Sequence, residues 1–327
     1  YSYHNVRVSG DTGASGQNLW AYTAQFGNGF SGTLSLEDPA TRRAGTLDVT
    51  APFFNQGAIA NDNGLSINPT FGFRVPDIIA NLRLDQAWGF VGISAALHDA
   101  SGAYYATPNV VNNGHPEDKY GWAMAGGAKF NLAGGDMIGF NVCYAEGASG
   151  FCTNNNFFQL YNSSTSVALG WTADGIFTTG SQIELTRVWS ALAGYEHIWN
   201  PKWRTSVFGG YVNVDYNGAA TNSILQKTPG ALAACGVPGV GATTFGVTLL
   251  QGNSCSPDMS FWEAGTRTQW NPVPQLDIGL ELLYSRRNTA FKGAALVPAN
   301  PSRPVVFALD DQDVISAMFR WQRNFYP

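Results

Sequence analysis

The dominant pattern along this chain is strict alternation of apolar and polar positions. In a β-strand successive side chains point to opposite faces, so every second residue shares an environment. Leu82 and Leu84 alternate with Asn81, Arg83 and Asp85. Val91, Ile93, Ala95 and Leu97 alternate with Gly92, Ser94, Ala96 and His98. The same period recurs in Ile138–Tyr144, Trp262–Trp270, Leu276–Tyr284 and Ile315–Trp321. It predicts about eleven strands, near 18–27, 30–38, 79–88, 89–98, 119–132, 136–146, 183–199, 203–216, 259–271, 276–289 and 310–326. In strand 203–216, Val212 and Val214 fall out of phase with Trp203, Thr205 and Val207, which predicts a bulge.

Short turns join these strands in pairs: Gly27-Asn28-Gly29, Trp88-Gly89, Ala133-Gly134-Gly135, Asn200-Pro201-Lys202 and Asn271-Pro272-Val273-Pro274. Long segments, 39–78, 99–118, 147–182, 217–258 and 290–309, separate the pairs. The polar phase carries ionised residues in mid-strand. The apolar phase opens and closes on Trp or Tyr: Trp262 and Trp270, Trp203 and Tyr211, Tyr195 and Trp199. No helical period is available to cover so many apolar faces. An apolar band between aromatic girdles, backed by a polar face, with short turns at one end and long loops at the other, is the pattern of an outer-membrane barrel. The fold class is therefore all-β, a transmembrane antiparallel β-barrel. Eleven is odd, whereas bacterial single-chain barrels have even strand numbers. The chain is accordingly expected to start inside the barrel, with its first strands missing.

Composition sharpens this reading. The 327 residues are 13% charged and 13% aromatic, with 38 Gly and a mean hydropathy of −0.10. Low charge with many aromatics excludes a disordered chain. A net charge of −5 and pI near 5.3 give no nucleic-acid footprint. No apolar run of roughly 20 residues is present to form a transmembrane helix. The four cysteines lie as two local pairs without tight C-x-x-C spacing. Disulfides Cys143–Cys152 and Cys235–Cys255 fit an oxidising compartment. Four reduced, buried thiols are the alternative.

Several segments resemble the porin family of the Alphaproteobacteria, of the rhizobial and Brucella type. They are Ala24-Gln25-Phe26-Gly27-Asn28-Gly29-Phe30-Ser31, Leu34-Ser35-Leu36-Glu37-Asp38, Tyr195-Glu196-His197, Gly209–Tyr216 and Phe319-Arg320-Trp321-Gln322-Arg323-Asn324-Phe325. The resemblance runs over nearly the whole chain and rests on the order and spacing of these segments together. It implies a homotrimer of 16-stranded barrels passing small hydrophilic solutes passively, set in lipid and lipopolysaccharide of the bacterial outer membrane. The family's first strands and most of its pore-narrowing third loop have no counterpart here. Residues 1–17 are then the tail of that loop, and 1–327 a single barrel domain.

A porin does no chemistry, so no catalytic residue, cofactor or metal is expected. Alternation places Arg83, Lys129, Arg204, Arg267 and Arg320 on the pore side, with Arg187 and Arg287 as weaker candidates. The pore-side acids are Asp85, Glu184, Glu196, Glu263, Asp277 and Glu281. Mixed sign predicts a transverse field with modest ion preference, many of these groups forming ion pairs in the wall. Glu263 and Glu281 could imitate a glycosidase pair, but carboxylates are ordinary pore lining. His4, His98, His115 and His197 lack metal-ligand spacing. Asp310, Asp311 and Asp313 could bind Ca²⁺ and read better as a solvated rim. Asn61-Asp62-Asn63-Gly64 reads as a turn. A general diffusion porin leads. A substrate-specific channel for sugars or anions comes second, and a soluble all-β binding protein third. Trp262, Trp270, Tyr284, Phe319 and Trp321 are expected to face outward.

Overall fold

The computed structural model describes residues 16–49, 74–102, 104–105, 114–153, 158–162, 165–226, 235, 247–248, 252–296 and 307–325. The predicted turn at 61–64 and His4 lie outside the described residues, as does all but the end of the 1–17 segment. Eleven long strands form one sheet: β1 (Leu19–Gly27), β2 (Phe30–Glu37), β3 (Asp77–Gln86), β4 (Gly89–Asp99), β5 (Tyr120–Asn131), β6 (Met137–Glu146), β7 (Arg187–Asn200), β8 (Trp203–Asp215), β9 (Met259–Trp270), β10 (Leu276–Asn288) and β11 (Gln312–Arg323). Their order in the sheet is their order in the chain, and every neighbouring pair is antiparallel. β1 and β11 are its two edges, and among the described residues no ladder joins them.

The turn chemistry follows from the residues. Gly27, Asn28 and Gly29 all have positive φ, of 90°, 51° and 77°. Such a turn excludes β-branched residues. A side chain at Gly29 would also sit 1.9 Å from the Asp85 carbonyl oxygen.

One face of the sheet is apolar and exposed. Trp20, Tyr22, Ile315 and Phe319 are each at least 70% accessible, and Leu82, Ile93, Leu97, Phe140, Val142, Leu280 and Leu282 stand with them. Trp270 and Trp321 are exposed on this face, while Trp262 and Tyr284 are half-buried because they pack on each other at 5.0 Å.

The aromatics on this face carry a geometric regularity. Trp122 on β5 packs diagonally on Tyr144 of β6 at 5.4 Å, and Trp189 of β7 on Tyr211 of β8 at 4.8 Å. Trp262 and Tyr284 repeat the arrangement on β9 and β10. Within each pair the Tyr lies one two-residue rung nearer the turns: Tyr144 is opposite Met124, Tyr211 opposite Ala191, Tyr284 opposite Ala264. From pair to pair the register is level, with Trp189 opposite Tyr144 and Trp262 opposite Tyr211. The row therefore drifts by one residue per strand. With about 3.3 Å per residue along a strand and about 4.8 Å between strands, a level row requires a tilt of about 35°. Trp262 and Trp270 then span about 22 Å vertically, close to the height of an apolar membrane band.

Corrections to the sequence reading fall at the loop end. No register break interrupts β8 between Trp203 and Val214, so the expected bulge is absent. Val212 and Val214 point to the same face as Arg204 and Ser206, and are fully buried there. The connecting segments cover them. Trp171, Tyr216, Ile224, Phe291, Leu47 and Ile176 join Val188, Val212, Val214, Met259 and Phe261 in one core. These segments carry structure that alternation does not reveal. Thr46–Asp48, Gly175–Phe177 and Glu184–Leu185 form a three-stranded sheet, and Gly218–Gln226 is a helix capped by Asn217, which accepts from the Ala220 N–H. A second small sheet joins 158–162, 166–171, 307–309, 295–296 and 247–248.

Asp174 ties this layer to the main sheet and is fully buried. Its Oδ2 accepts from the Ala44 and Gly45 N–H groups at 2.9 and 3.0 Å, its Oδ1 from the Ser149 N–H and hydroxyl at 2.8 Å. His98 of β4 lies between it and Asp77 of β3, at 3.4 and 2.7 Å. Both expected disulfides are present, Cys143–Cys152 with Cα atoms 5.4 Å apart and Cys235–Cys255 at 5.9 Å.

Two outcomes follow. Asp174→Ala strands three buried backbone donors, each worth roughly 1–3 kcal/mol. Limited proteolysis should then cut within 39–49 and 147–153, while the main sheet keeps its circular dichroism. Reduction of both disulfides should also act locally, because neither bridges two strands of the main sheet. The loops lose up to about 2–4 kcal/mol per bond, and the unfolding midpoint of the sheet in detergent should stay unchanged.

Candidate pore face

The face opposite the apolar one carries the charged residues singled out in the sequence. On β3, Arg83 and Asp85 are held together by two hydrogen bonds, Nε to Oδ2 and Nη2 to Oδ1, each 2.7 Å. The guanidinium lies over the Phe90 ring of β4, 3.9 Å from its centroid. Lys129 of β5 is opposite Phe90 in register. It has no ion-pair or hydrogen-bond partner among the described residues.

A second group spans four strands. Glu196 of β7, Ser206 of β8, Arg267 of β9 and Glu281 of β10 form one continuous rung. Ser206 is small, so the Arg267 guanidinium reaches across it to donate to Glu196 at 3.0 Å. Glu196, Arg267 and Glu281 are all buried. One rung nearer the turns, half-exposed Arg204 lies 4.0 Å from Glu196 and 3.9 Å from Asp277. Asp277 also accepts from Gln269. Glu263, four residues beyond Arg267 toward the loop end on β9, is buried and accepts from the Ser285 hydroxyl at 2.9 Å. Arg320 of β11 is exposed and donates to Gln322. Charges of both signs are interleaved on this face, with acids in excess beside Arg204 and Arg267 and cations in excess on β3–β5.

Three placements differ from the sequence reading. The seventh strand starts at Arg187, and Glu184 belongs to the small sheet, pairing with Gly175–Ile176. Its carboxylate accepts from Asn217 at 2.8 Å, so it is a loop residue and not part of the long strands. Arg187 shares the phase of exposed Trp189 on the apolar face and lies 3.8 Å from Glu146. Arg287 is buried under the loop core, over Phe261 at 5.0 Å.

The acidic rim is built from ion pairs. Lys292 contacts Asp310 at 3.3 Å and Asp311 at 2.7 Å, and Arg286 contacts Asp311 at 3.2 Å. Burial, the largest single cause, raises the Asp311 pKa, but the hydrogen bonds from Lys292 and the Thr289 N–H and the charges of Lys292 and Arg286 together outweigh it and leave the carboxyl below its usual range. Among the described residues no cluster of three or more His, Cys, Asp or Glu side chains is arranged to hold a metal.

Asp136 was not singled out in the sequence. In the turn before β6 it accepts from Tyr195 Oη at 2.6 Å and the Ile198 N–H at 2.8 Å, and contacts His197 Nδ1 at 2.8 Å. Its pKa is pulled down to about 2, chiefly by the Tyr195 bond and then by His197. An acid directly after Ala133-Gly134-Gly135 and ahead of an aromatic strand was the available signal. Phe90 and Asn141 were also missed, although alternation puts both on the charged face.

Comparison with known proteins agrees with this architecture. No curated protein matches the chain. Among solved structures, the crystal structure of the outer membrane channel DcaP of Acinetobacter baumannii shares the fold at a TM-score of 0.51 and 12% sequence identity. The match covers 92% of this chain and 62% of that one, so this chain spans less than two thirds of its neighbour's length. The sequence profile of the porin subfamily matches residues 4–318. With a match of that extent over a sheet of this construction, the chain belongs to the porin subfamily.

Proposed function

We propose that this protein is a general diffusion porin of the bacterial outer membrane. It conducts ions and small hydrophilic solutes passively through a water-filled barrel and performs no catalysis. The observation that carries this reading is the partition of the sheet. A continuous eleven-stranded antiparallel ladder exposes an apolar, aromatic-edged face, while its other face holds ionised residues in mid-strand. Lipid accepts the first face and water the second. Arg83, Asp85, Lys129, Arg204 and Arg320 then line the lumen, with Glu196, Glu263, Arg267 and Glu281 on the same face but buried.

Edges exposed to lipid would leave backbone groups unpaired, at several kcal/mol each. Closure of the barrel therefore requires further strands beside β1 and β11. In this reading the chain is one of the alphaproteobacterial porins it resembles, with sixteen strands per barrel and a homotrimer embedded in lipid and lipopolysaccharide. The interleaved charges support weak ion preference over a filter of one sign.

The test is electrical. Purified in detergent and added to a planar lipid bilayer, the protein should give stepwise conductance that rises linearly with KCl concentration. A protein that is monodisperse in buffer without detergent and leaves the bilayer silent would overturn the reading. A channel selective for one class of solute is the second reading, and the surroundings of Lys129 favour it.

A further inference from the structure

The two halves of the charged face differ in sign. Around Arg204 and Arg267 stand the acids Glu196, Glu263, Asp277 and Glu281. On β3–β5 the Arg83 guanidinium is neutralised by Asp85, and Lys129 remains as a net positive charge without a partner among the described residues. Its surroundings are specific. Arg83, Gly92, Gly127 and Asn141 form one rung across β3–β6, and Asp85, Phe90, Lys129 and Gly139 form the next. Gly92 and Gly127 leave bare backbone between Arg83 on one side and Asn141 on the other. Missing side-chain bulk at Gly92 is also what lets Arg83 lean diagonally onto Phe90.

Four strands at about 4.8 Å spacing put the Arg83 and Asn141 backbones about 14 Å apart. A gap of that width has room for a six-membered ring lying flat. The Arg83 side chain is 42% exposed, with its planar guanidinium over the Phe90 ring. Guanidinium planes stack on flat unsaturated bodies. The Phe90 ring edge carries partial positive charge, and the Lys129 ammonium offers three donors. Asn141 is exposed and adds an amide donor and acceptor at the far side. The arrangement suits a flat body ending in a carboxylate.

We infer that Arg83, Phe90, Lys129 and Asn141, around the Gly92–Gly127 floor, form a binding subsite for small flat carboxylates in the lumen. It rests on the channel reading and gives that channel a preferred solute class. The subsite concentrates such anions at the wall and slows their passage, so they interrupt the ion current while bound.

Benzoate is the probe, with benzyl alcohol, benzylammonium and acetate as comparisons. In single channels bathed in KCl, benzoate should half-block the current at a concentration about tenfold lower than benzyl alcohol, the factor expected of one charge-assisted hydrogen bond, and lower than benzylammonium or acetate. Lys129→Gln should erase the difference between benzoate and benzyl alcohol, and Lys129→Arg should restore it. Gly92→Val should weaken the block with Lys129 intact. A Cβ at Gly92 meets only the Leu82 carbonyl oxygen, at 3.5 Å, so the substitution fits the backbone and fills the floor. Equal block by all four probes, or benzoate block unchanged in Lys129→Gln, would overturn the subsite and leave the channel standing. Calorimetric titration of benzoate into the detergent-solubilised protein reads the site without current. Binding that depends on Lys129 in a protein that does not conduct would keep the subsite and overturn the channel.

Discussion

The structure depends on one constraint: an exposed apolar sheet face has no water to satisfy its backbone. Every N–H and C=O across that band has to be bonded within the sheet. Ten successive antiparallel ladders do this here. Register breaks occur only at Gln25/Gly27 and Ile198/Asn200, both beside turns. Unbroken register has a direct consequence for the side chains. A slip of one residue would carry every charge to the apolar face, so the ladder that satisfies the backbone also fixes which residues meet water.

At the loop end the same ladder continues under different surroundings. The charged face turns apolar over its last rungs because the connecting segments fold onto it. Val188, Val212 and Met259 have protein above them instead of water. Buried polar groups in this layer are therefore held by specific partners. Asp174 answers four donors from two segments, and Arg43 bonds both the carbonyl and the carboxylate of Asp99.

Period two made the long strands and the two faces readable from residues alone. The strand boundary that moved furthest was the start of β7, and Glu184 shows why. Glu184-Leu185 continues the extended pattern, yet it pairs with Gly175–Ile176 instead of β6 and β8, and extended propensity does not name a partner. Val212 and Val214 misled for a related reason. Apolarity marks burial, and burial under a loop resembles exposure to lipid. The facing of Glu196 and Arg267 followed from alternation. Their contact did not, since it needs the register of two strands separated by a third. The short strands of the loops, two to six residues long, carry too few positions for any period to show.

The diagonal Trp–Tyr pairs have a consequence for assembly. Trp122 and Tyr144 sit on β5 and β6, Trp189 and Tyr211 on β7 and β8, Trp262 and Tyr284 on β9 and β10. Each pair thus lies inside one hairpin, while at the turn end Trp203 of β8 stacks on Trp270 of β9 at 5.7 Å, across two of these hairpins. Each of these three hairpins carries its own depth gauge. Tilt is then written separately into each of the three two-stranded units. Hairpins could be gained or lost over evolutionary time and the waterline would stay level.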